Sequence, residues 1–105
     1  MVQPEEHDGG AIDVVSRAIA ELWEAGCPVA RDSKKLATIA VRRWRSVTRR
    51  AHNASISARI EDLVKGLIEQ CEPDPRLVGP LRRDYEYLAE QISPLLAKAT
   101  REGVE

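Results

Sequence analysis

The stretch SKKLATIAVRRWRSVTRRAHNASISARIEDLVKGLIEQC, residues 33–71, decides how the chain folds. No Gly or Pro interrupts it before Gly66, so it reads first as one helix, about 58 Å long at 1.5 Å per residue. The apolar phase breaks that reading. At about 100° per residue, Leu36, Ala40, Trp44, Val47 and Ala51 fall in one arc, whereas Ile56, Ile60, Leu63 and Leu67 fall on nearly the opposite side of the same cylinder. A single rod would carry two half-stripes facing apart. A break at His52 to Ser55, with Asn53 or Ser55 capping the next helix, lets the chain reverse so that the stripes meet. The spacing therefore predicts helices over residues 33–51 and 55–71, paired as an antiparallel hairpin.

Upstream, Ile12, Val15, Ile19, Leu22 and Trp23 recur at helical spacing, with Asp13, Arg17 and Glu21 on the other side at four-residue steps and Glu24 beside them. That predicts a first helix over residues 11–25, started by Asp8 and stopped by Gly26 and Pro28, with a new start at Asp32 or Ser33. Downstream, Glu72-Pro73-Asp74-Pro75 cannot continue a helix, but Asp74 can cap a new one with Pro75 in its first position. Gly79-Pro80 threatens the start of this last helix. Beyond it, Leu81, Tyr85, Leu88, Ile92, Leu95 and Ala99 alternate steps of four and three, and Pro94 lies off that stripe, predicting a kinked but packed helix over residues 75–100. With no alternating strand pattern or hairpin dipeptide, the expected fold is all-α, a small four-helix bundle without a β-sheet.

At 105 residues, 43% hydrophobic and 31% charged, the chain supplies one ordinary core and excludes a two-domain enzyme or a wholly disordered polymer. Residues 1–10, with Pro4, Gly9, Gly10 and three acids, read as a mobile acidic arm, residues 11–100 as a single helical domain, and residues 101–105 as a frayed end. No apolar run resembles a secretory signal or approaches the roughly 18 residues of a membrane span, which places the chain in the cytoplasm and leaves no membrane partner. Cys27 and Cys71 are too few for a disulfide scaffold and too far apart for a short metal or redox motif, so both read as buried thiols.

The net charge of -1 hides a strong segregation. Between Ser33 and Ile60 stand Lys34, Lys35, Arg42, Arg43, Arg45, Arg49, Arg50 and Arg59, with no Asp or Glu among them. Lys34, Lys35, Arg42, Arg45 and Arg49 share an arc of roughly 100° opposite Leu36, Ala40, Trp44 and Val47, while Arg43 and Arg50 lie near the seam. A row of cations on a rigid rod suits a phosphate backbone, because each contact releases counterions and each guanidinium offers a planar fork. Two other readings compete: a solvated face, or pairing with acidic helix faces of the same chain or of a partner. A helix-turn-helix fits poorly, since Cys27 to Asp32 is too long a turn and Asp32 stands where an apolar residue belongs. A phosphate-dominated contact is therefore expected, with only Thr38 and Ser46 on the same face to add base reading.

The catalytic inventory is thin. His7 and His52 have no Cys or carboxylate at ligand spacing, no Gly-rich phosphate loop occurs, and the serines read as surface or capping residues, so neither a metal, a cofactor nor an enzymatic activity is expected. Trp23, Trp44 and Tyr85 lie on apolar stripes and read as core, whereas Tyr87 projects away from its stripe beside Arg83 as an interface anchor would. The long stripe of Leu81, Tyr85, Leu88 and Ile92, with Tyr87, supports a homodimer through the last helix. Together these features suit a non-enzymatic, nucleic-acid-associated accessory protein of bacterial or phage type, a regulator or a packaging subunit. The alternative is an interaction module that docks an acidic protein surface and self-associates through its last helix.

Overall fold

In a computed structural model of the chain the backbone is described for residues 4–50, 55–72 and 74–104, and side chains for residues 10–48, 55–72, 74–76 and 78–99. Four helices follow one another: α1 Pro4–Glu24, α2 Ser33–Arg50, α3 Ile56–Cys71 and α4 Pro75–Val104. No strand occurs among the described residues. The fold is the expected all-α four-helix bundle.

Local chemistry sets most of the boundaries. Gly26 adopts φ 102, a left-handed geometry that glycine reaches without a Cβ clash. There Gly26 N–H donates to Trp23 O at 3.0 Å and Cys27 N–H to Leu22 O at 2.9 Å, the pair of bonds that closes a helix C-terminus. Asp32 accepts from Lys35 N–H at 3.3 Å, and Ser55 Oγ accepts from Ala58 N–H at 3.1 Å, so Asp32 and Ser55 cap α2 and α3. Asp74 caps α4 through Arg76 N–H at 3.0 Å and also holds the Arg76 guanidinium at 3.1 Å. That side-chain bond, then the backbone bond, lowers the Asp74 pKa below the ordinary carboxylate value.

Two boundaries differ from expectation, the start of α1 and the end of α4. The anticipated arm is helical from Pro4, because Pro4 presets the first helical φ and Glu5 and Glu6 suit the positive end of the helix dipole; Asp8 therefore lies inside α1 and is not its cap. Gly79-Pro80 does not interrupt α4, which runs through both prolines and extends to Val104, so residues 101–104 are helical. Pro94 lacks the N–H that would meet Glu90 O, and Ser93 Oγ donates to that carbonyl at 3.1 Å instead.

The helices form a closed ring, α1 against α2, α2 against α3, α3 against α4 and α4 against α1, with α2 and α4 also meeting across the middle. The radius of gyration, 13.2 Å, matches the value of about 13 Å for a single body of this length. Because α2 touches three helices, its buried arc is wide: Leu36, Ala37, Ile39, Ala40, Val41, Trp44 and Val47 are all buried. Tyr85, Leu88, Ala89, Ile92 and Leu96 of α4 meet Leu63, Val64, Leu67, Val15 and Ile19 in one cluster.

This packing corrects the expected dimer stripe. Tyr85, Leu88 and Ile92 are buried within the chain's own core, Leu81 is half-buried, and only Tyr87 stands out, 49% exposed. The stripe is consumed because α4 faces three helices of its own chain. Leu96, which the heptad count omits, is fully buried, since a helix with 3.6 residues per turn drifts from a strict seven-residue repeat. Trp23, expected in the core, is 44% exposed at the end of α1, and Ile56 is 54% exposed at the start of α3. Both lie in terminal turns.

Candidate anion-binding face

On α2 the side chains opposite the buried arc are charged. Lys34, Lys35 and Arg42 are exposed, and among the described residues no carboxylate is in ion-pair contact with any of them. Lys34 and Arg42 lie about 12 Å apart along the axis at 1.5 Å per residue, about three to four base pairs of duplex at 3.4 Å each. Arg31, exposed in the turn before α2, adds a cation at the same end. Sequence reasoning missed Arg31 because it precedes the capping Asp32; its nearness to Lys34 and Lys35 in the chain was the available signal.

Arg45 is half-buried and engaged by neighbouring atoms, which narrows the row. Ile39 and Val41 bound a buried arc of about 200° at 100° per residue, and Arg45 sits at its edge. The Arg49 side chain lies outside the described residues, as do those of Arg50, His7 and His52. Thr38 is half-buried and donates its hydroxyl to Lys34 O at 2.8 Å, whereas Ser46 is exposed on the same arc.

Of the seam cations, Arg43 is used in the fold. Arg43 reaches across to α3, where Nε donates to Asp62 Oδ2 at 2.8 Å and Nη2 to Asp62 Oδ1 at 3.1 Å. The Asp62 bond raises the Arg43 pKa, so this cation is permanent. Gly66 makes room for it: a Cβ at position 66 would stand 3.0 Å from Arg43 Cδ and Nε. Arg59 lies 6.0 Å from the Trp44 ring centroid and donates from Nη1 to Thr48 Oγ1 at 3.5 Å. Elsewhere Asp13 pairs with Arg17 and Arg82 with Glu86 across four-residue steps, each at 3.0 Å.

Around the N-terminal end of α2 a cleft of about 340 Å³ opens between the α1–α2 turn, the end of α3 and the start of α4. At its base Tyr85 O–H donates to Glu72 at 3.1 Å. Burial first, and the Glu72 carboxylate second, push the Tyr85 phenol well above its ordinary pKa, so it stays neutral. Burial likewise raises the pKa of Cys71, which is half-buried, while Cys27 is buried; both thiols are free.

Among the described residues no group of three His, Cys, Asp or Glu side chains is placed to hold a metal, and no helix is long and apolar enough to cross a membrane. Helices α1 and α2 are separated by residues 25–32, longer than the turn of a helix-turn-helix. No family model, curated protein or solved structure matches the chain.

Proposed function

We propose that this chain acts by binding nucleic acid, gripping phosphates with the outward face of α2 and catalysing no reaction of its own. The supporting observation is the arc of Lys34, Lys35 and Arg42, exposed on a helix whose other side is locked into the core, with no side-chain ion pair to any of the three among the described residues. Rigid presentation lowers the entropy lost when the cations meet phosphates, and counterion release supplies the driving force. A helix buried over more than half its circumference cannot sink deep into a major groove, so the grip is on the backbone and largely independent of sequence.

A salt titration tests this. Three phosphate contacts give a log–log slope of roughly -2.7 for binding to duplex DNA, and replacing Lys34, Lys35 and Arg42 together by Ala removes it. Absence of binding at about 50 mM salt, where such contacts are strong, overturns the proposal.

A further inference from the structure

We infer that the cleft beside the basic face receives an unpaired nucleobase, so that the preferred ligand is single-stranded nucleic acid whose phosphates lie on α2. This rests on the phosphate-binding reading above and adds the class of strand. Lys35 belongs both to the exposed face of α2 and to the wall of the cleft, and Arg31 stands at the same rim; Asp32, between them, is held on the Lys35 N–H as the helix cap, so a strand gripped by the two cations passes the opening. The interior suits what such a strand carries. Pro28 and Leu81 offer apolar walls to the faces of a base, with buried Leu36 behind them, and Glu72, which accepts from Tyr85 through one oxygen, offers its carboxylate to a base amino group.

At about 340 Å³ the cleft falls at the lower end of the roughly 300–1,000 Å³ of small-ligand sites. A paired and stacked base cannot leave a duplex to enter it without losing its pairing and stacking. Duplex therefore engages only the phosphate face, whereas a single strand engages face and cleft.

The test is fluorescence anisotropy on the full chain at about 50 mM salt with three probes of equal length: a single-stranded oligonucleotide, the same strand made abasic, and a duplex. The intact strand is expected to bind on the order of tenfold tighter than the abasic one, the scale of one base held against side chains. Leu81→Trp, which fills the cleft, should bring the intact strand down to the abasic value and leave duplex binding as it was. Equal binding of intact and abasic strands to the unaltered chain overturns the cleft assignment while leaving the phosphate face standing. Failure of all three probes overturns both. An equal loss on strand and duplex from Leu81→Trp also counts against the cleft, and the abasic comparison decides the matter even if that variant weakens the fold. A free nucleoside monophosphate that displaces the strand at low concentration would mean that the cleft serves a mononucleotide, which overturns the strand preference.

Discussion

Arg42 and Arg43 are neighbours in the chain and belong to two different regions of the molecule. Arg43 points into the seam between α2 and α3, where Asp62 holds it with two hydrogen bonds beside Gly66. Arg42, one step of about 100° further back around the helix, is exposed, with no carboxylate in contact among the described residues. The residue type is the same, so the role is set by what the neighbouring helix presents. The seam uses its cation to fix how two helices meet; the outer face leaves Lys34, Lys35 and Arg42 exposed and outside any ion pair among the described residues, and that surface is the one offered to an anion.

The sharpest break of this comparison is on the inward side. Trp44 is 1% exposed and is among the largest fully buried side chains. Trp44→Ala should cost about 3–5 kcal/mol, from lost burial and the cavity left behind, read as the drop in urea unfolding free energy. A loss under about 1 kcal/mol would mean that α2 is not the packed centre of the bundle. Next comes the seam itself. Asp62→Ala strands a half-buried guanidinium and should cost about 1–2 kcal/mol, less than a fully buried pair because both side chains retain partial exposure, 29% and 28%. In a double-mutant cycle with Arg43→Ala the two losses should not add; additive losses would dissolve the distinction between seam and face.

A second seam, where the end of α3 meets α4, sharpens the comparison through pH. Tyr85→Phe removes the bond to Glu72 and should cost about 1 kcal/mol near neutrality. The folded chain holds the Tyr85 proton to a higher pH than the unfolded chain does. Its contribution is thus complete below the ordinary phenol value of about 10 and falls away as pH rises beyond it. Melting temperature against pH should decline more steeply above that value in the unaltered chain than in Tyr85→Phe, and parallel curves would contradict the assignment.

Legibility in the sequence divides in the same way, between local and distant causes. Gly26, Ser55 and Asp74 mark helix ends through bonds that span a few residues, so their chemistry could be read from order alone. The phase reversal between Ala51 and Ile56 pointed to the α2–α3 hairpin because periodicity is also local. The Arg43–Asp62 bond joins residues 19 apart, and nothing in a single sequence pairs them. The half-burial of Arg45 depends on how many helices surround α2, which a one-helix wheel omits, whereas Leu96 lies on the stripe at 100° per residue and is passed over only by counting in heptads. The outward cations were legible as an arc; the cleft was not, since its walls come from three separate segments.

The outer face gives the smallest effect on stability and the most specific one on binding. Arg42 is exposed and in contact with no described carboxylate, so Arg42→Ala should change the unfolding free energy by no more than about 0.5 kcal/mol. The same substitution should reduce the magnitude of the salt slope for duplex DNA by about 0.9, the share of one phosphate contact. Arg43→Ala should do the reverse, lowering stability and leaving the slope unchanged, because its guanidinium is already satisfied by Asp62. Two adjacent arginines would then separate structure from binding within one turn of helix; if both substitutions shift the slope equally, diffuse positive charge rather than a defined face carries the interaction.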